Sequence, residues 1–122
     1  MKKLLVLAGL FFVLGSVNVE AQTMKLFTSF TKTVASTGTP EALTNTVIKV
    51  TSVTLNGYKD RTTANTGTNY VGTISTDDTQ LFQLVPAGEM VIGPLPSGEK
   101  IDLSKIYVDV TANGDGVIVT YY

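Results

Sequence analysis

The sequence has no cysteine, no histidine and no tryptophan. Without Cys there is no disulfide framework, no thiolate metal site, no Cys nucleophile and no thiol redox chemistry. Without His the commonest general base and the commonest zinc ligand are missing, so Ser–His and Cys–His catalysis are excluded for this chain alone. Charge is scarce too: Asp, Glu, Lys and Arg make up 16% of the chain, with a formal net charge of −1. Lys and Arg occur singly, which supplies no electrostatic footprint for nucleic acid. These absences favour a structural or binding module over an enzyme, with no catalytic residue, no cofactor and no metal expected.

What is present divides in two. Lys2 and Lys3 precede an apolar run from Leu4 to Leu14, then the small-or-polar Gly15 to Asn18, then Val19-Glu20-Ala21. This is the tripartite layout of a secretory signal peptide over residues 1–21, with cleavage between Ala21 and Gln22. The apolar run is too short for a span, which needs about 20 residues. The segment is a membrane anchor only if it is not cleaved. Removing it leaves 101 residues at a formal charge of −2 (seven Lys/Arg, nine Asp/Glu), of which 19 are Thr. That remainder is one domain by length, and apolar burial and backbone pairing must hold it together.

Residues 22–122 read as strands separated by turns, with no 3.6-residue period and Gly or Pro recurring about every ten residues. The β-branched Thr and Val suit a pleated surface. Met24 to Val34 forms a first strand with Leu26, Thr28, Phe30, Lys32 and Val34 on one face. Ala35 to Ala42 is a loop. Thr46 to Leu55 is a strand whose apolar face changes phase, Ile48 and Val50 against Val53 and Leu55, as a bulge or a move between sheets would cause. Asn56-Gly57 is a type I′ turn signal, followed by a long polar loop to Thr68 with a short hairpin arm at its start. Further strands are expected at Asn69 to Ser75, Gln80 to Val85, Glu89 to Ile92, Ile106 to Thr111 and Val117 to Tyr122. In the strand from Ile106, Val108 and Val110 face inward while Tyr107, Asp109 and Thr111 face out. The expected fold is all-β: a single β-sandwich of about seven to eight short strands, jelly-roll or immunoglobulin-like.

The candidate motifs are weak. Asn113-Gly114-Asp115-Gly116 echoes a calcium loop, but two ligand positions fail, and a turn using Asn and Gly explains it. Ser97-Gly98-Glu99-Lys100 matches S-x-x-K without the helix that motif needs. Asp77-Asp78, Glu89, Glu99 and Asp102 flank turns and indicate no catalytic pair. Tyr58, Tyr70, Tyr107, Tyr121 and Tyr122 could stack on sugars. The uncharged run Val117 to Tyr122 is apolar on both faces, so it is either a central strand or covered by another subunit. With the first strand it defines a candidate assembly surface of Leu26, Phe27, Phe30, Val117, Val119, Tyr121 and Tyr122.

A set of segments carries a resemblance. Gly38-Thr39-Pro40-Glu41-Ala42-Leu43-Thr44, Val50-Thr51-Ser52-Val53-Thr54-Leu55 and Asn65-Thr66-Gly67-Thr68-Asn69-Tyr70-Val71-Gly72 resemble, in that order, small structural proteins of tailed bacteriophage virions. Phe82-Gln83-Leu84-Val85-Pro86-Ala87-Gly88-Glu89, Ile101 to Asp109 and the Gly114-Asp115-Gly116-Val117 turn continue it over nearly all of residues 24–122. The resemblance implies a compact β-sandwich that decorates a capsid or forms part of a head fibre or tail, often as a trimer, with other structural subunits as partners and no catalytic residues. The sequence therefore leads to a non-enzymatic structural protein, exported by its signal peptide and placed in a virion by the resemblance. A secreted carbohydrate- or cell-surface-binding module is the second reading.

Overall fold

A computed structural model describes residues 27–73 and 82–122. The expected signal peptide, Leu26 and the Asp77-Asp78 turn lie outside the described residues. Within them the chain is all-β, with ten strands: β1 (Thr28–Thr33), β2 (Glu41–Ala42), β3 (Lys49–Val50), β4 (Val53–Asn56), β5 (Asn69–Gly72), β6 (Phe82–Leu84), β7 (Glu89–Ile92), β8 (Ile101–Asp102), β9 (Tyr107–Val110) and β10 (Gly116–Tyr121). The expected seven to eight strands become ten because three pieces were not separated in the sequence. Glu41–Ala42 pairs with β9 instead of remaining loop, Lys49–Val50 detaches from β4, and Ile101–Asp102 pairs with β3.

Two four-stranded antiparallel sheets form the sandwich, ordered β1-β10-β4-β7 and β2-β9-β5-β6, and β3-β8 is a separate pair. Setting that pair aside and counting the other eight strands in chain order gives sheets 1-8-3-6 and 2-7-4-5. That order is the jelly roll, and it decides between the two expected topologies.

Alternation builds the core. The register aligns Phe30, Val119, Leu55 and Met90 in one row across the first sheet, and Tyr121, Val53 and Ile92 in the next. Val53, Leu55, Val117 and Val119 are buried and meet Val71, Leu84, Val108 and Val110 of the second sheet. Leu103 and Ile106, on either side of a 3₁₀ turn that Asp102 caps, close one end. The opposite face of β1, β10 and β4 carries Ser29, Thr120 and Thr54, where the Thr120 and Ser29 hydroxyls lie 3.3 Å apart.

The phase change in the second predicted strand is a change of sheet. After Val50 the chain bends at Thr51-Ser52 and enters the first sheet at Val53. The bend is held by Thr51 N donating to the Tyr122 carbonyl at 2.7 Å and Tyr122 N donating to the Ser52 carbonyl at 3.3 Å. Two other expectations are corrected. Asn56-Gly57 is not a hairpin turn: the left-handed glycines among the described residues are Gly38, Gly93, Gly98 and Gly114. Instead the Gly57 carbonyl accepts from Asn65 N at 3.1 Å and Ala87 N at 2.9 Å, and a Cβ on Gly57 would strike the Val85 carbonyl oxygen. Glycine serves there for close approach of backbones rather than for a turn. Asp109 does alternate away from Val108 and Val110, yet it is buried, because the loop before β2 folds over it and Gly38 N donates to its Oδ1 at 2.9 Å.

Candidate assembly surface

The seven residues that the sequence marks for assembly separate into three groups. Val117 and Val119 are fully buried within one chain, so they belong to its core and are removed from the surface. The β10 run is a central strand flanked by β1 and β4, which protects it without a second subunit. Phe30 and Tyr121 are half-buried and meet edge to face, ring centroids 6.2 Å apart. Phe27 and Tyr122 remain at the surface, 68% and 46% exposed, and form a second edge-to-face pair at 5.4 Å. Leu26, the seventh residue, precedes the described part.

An apolar opening lies on the other side of the sandwich. The edge strands β7 of the first sheet and β6 of the second bound an apolar cleft of about 560 Å³, walled by Val71, Phe82, Met90, Ile92, Leu95 and Ile106. Phe82 and Val91 line it and are 61% and 57% exposed. Strand period alone does not find them. Phe82 and Leu84 share a face of β6, but Leu84 is 2% exposed because it lies deeper between the sheets. The sequence signal was Met90-Val91-Ile92, an apolar run in β7 with no polar alternation to cover it.

Asp102, which lines the cleft, is engaged elsewhere. Asp102 Oδ1 accepts from Ser104 Oγ at 2.7 Å and Ser104 N at 3.0 Å, and these bonds hold its carboxyl below the ordinary carboxylate range. Glu89 accepts from Asn56 Nδ2 at 3.2 Å. On the far edge, Lys32 Nζ bonds Glu41 Oε2 at 2.6 Å and ties β1 to β2. That bond, with Ala35 N donating to Glu41 Oε1, lowers the Glu41 pKa.

The candidate chemical motifs resolve into structure. Gly114 takes φ +83° in the turn before β10. Asp115, 1% exposed, spends both carboxylate oxygens on Thr66 N and Gly67 N at 2.8–3.0 Å. Asn65 and Asn69 both donate to the Gly116 carbonyl at 2.7 Å, so this cluster pins the 57–68 loop to β10. Ser97 sits in a turn that Gly98 N closes onto the Leu95 carbonyl at 3.0 Å, and Lys100 reaches away to Thr51 Oγ1. No group of three potential metal ligands occurs among the described residues. On the second sheet, Tyr70 pairs with Asp109 and Gly72 with Tyr107, which places Tyr70 and Tyr107 as diagonal neighbours on the face away from the core. No family model, no curated protein and no solved structure matches the chain.

Proposed function

We propose that this chain is a non-enzymatic structural subunit. It is an exported jelly roll that packs with further copies into, or decorates, a capsid, fibre or similar assembly. The observation that carries the reading is the apolar cleft between β6 and β7 with Phe82 and Val91 exposed beside it. A contiguous apolar patch at a sheet edge is unfavourable for a lone soluble domain and is relieved by association. The resemblance to phage virion proteins points the same way, and the jelly roll is an architecture that capsid domains use. Fold alone does not assign function, so the decisive measurement is mass. Size-exclusion chromatography with light scattering on residues 22–122 should give an oligomer, and the resemblance favours a trimer. A monomer at tens of micromolar would remove the assembly reading.

A secreted glycan-binding module is the second reading, favoured by the Tyr70 and Tyr107 pair on the outer sheet face. Binding of a monomer to a glycan array, lost on Tyr107→Ala, would support it.

A further inference from the structure

We infer that residues 22–26 of one copy add as a strand to the free edge of β7 in a second copy, with Met24 and Leu26 entering the apolar cleft. This rests on reading the chain as an exported subunit that begins at Gln22.

The four sheet edges are not equivalent. β1 carries Lys32 on its core-facing side, paired to Glu41, and an inward charge blunts an edge. β2 has two residues and follows Pro40, while β6 has three and is soon followed by Pro86. β7 has four residues without Lys or Pro, and among the described residues its only partner is β4. It is also the edge beside the cleft, where Met90 and Ile92 leave their core-facing side incompletely covered. An added strand would satisfy the free backbone groups of β7, and apolar side chains at every second position would fill the cleft.

The chain itself supplies that strand. Gln22-Thr23-Met24-Lys25-Leu26 alternates polar and apolar residues, with Met24 and Leu26 in phase with the core-facing Phe30. Distance then decides whose strand it is. Thr28, Tyr121, Val53 and Ile92 lie in one row, so β1 and β7 are three strand spacings apart, roughly 14 Å. Five extended residues reach roughly 17 Å. In its own chain the segment would be consumed by crossing under the sheet and would have almost nothing left to pair. Residues 22–26 seated on β7 therefore belong to a neighbour, and repeated exchange would close a ring or extend a fibre.

The absence of native cysteine makes the test clean. Leu26→Cys in one population of residues 22–122 is mixed with Met90→Cys, or with Ile92→Cys to bracket the register, and then mildly oxidised. The expected product is a covalent two-chain species whose peptide map joins position 26 to position 90 or 92. Two results overturn the inference: no such link in either mixture, or a link that forms only inside a single chain of the double variants Leu26→Cys/Met90→Cys and Leu26→Cys/Ile92→Cys. Light scattering on the same samples separates the two proposals. An oligomer without the link removes only the strand exchange, and a monomer removes both.

Discussion

Asp115 is a buried carboxylate that forms no ion pair among the described residues; backbone amides take that place. Thr66 N and Gly67 N both donate to it, and Asn65 and Asn69 fasten the adjoining Gly116 carbonyl. Asp115→Ala leaves two partly buried amide bonds unmade, at up to roughly 1–3 kcal/mol for each. Urea unfolding should register a loss of about 2 kcal/mol or more, and a loss under about 0.5 kcal/mol would mean that the loop re-pairs elsewhere. Little of this was visible in the sequence. Asp115 looked like a turn residue because Asn-Gly-Asp-Gly is turn chemistry, and nothing local says that a loop some fifty residues earlier needs an acceptor there.

Glu41 offers a pH-dependent counterpart. Its pKa in the fold lies below the ordinary 4.5, chiefly through the hydrogen bond from Lys32 and also that from Ala35 N. A depressed pKa contributes stability that is present above the unfolded value and is lost as pH falls through the folded value. The pair is partly exposed, so the contribution is small, within about 0–1 kcal/mol. Urea midpoints measured from about pH 6 down to about pH 3 should fall less steeply in Glu41→Gln than in the parent. Identical slopes would show that the pair contributes nothing in solution.

Among the strands, β10 and β4 supply the middle of the first sheet, and Leu55 sits fully buried between Val119 and Met90. Leu55→Ala removes a core side chain where neighbours on both strands restrict collapse, so a loss of about 2–5 kcal/mol is expected in denaturant unfolding. A loss below about 1 kcal/mol would contradict the tight row described above. Strand identity was largely legible, because the pleat writes burial into alternate letters. Glu89–Ile92 matches its expected span, and Ile106 to Val110 keeps its apolar phase. Boundaries were less legible wherever tertiary contacts set them. The phase slip between Val50 and Val53 announced a discontinuity, but only the bonds from Thr51 and Tyr122 identify it as a change of sheet. Asn56-Gly57 misled for the same reason: a dipeptide that favours a hairpin in isolation makes only a local bend here, where other backbones close in on Gly57.

Association should be governed by the β6–β7 side. Phe82→Ser with Val91→Ser changes two side chains that are mostly solvated in the single chain. The melting temperature of the dilute protein should hardly move, while the proposed oligomer, followed by light scattering, should weaken. An unchanged oligomer would relocate the interface, with the Phe27–Tyr122 end as the next place to test. This side escaped the sequence reading because exposure is a property of where a strand lies in the sheet order, which a linear pattern does not carry. Val117 and Val119 failed as surface residues for the converse reason: an uncharged run is equally compatible with an interface and with the middle of a sheet.

The partnership of β1 with β10 has a consequence in time. The first sheet cannot be assembled in the order in which it is synthesised, because its second member is the last strand of the fold and joins residue 28 to residue 121. Loop closure over such a separation is slow relative to local pairing. Until β10 docks, β1 and β4 have no strand between them to pair with. The first sheet thus closes only when β10, the last strand in chain order among the described residues, is in place.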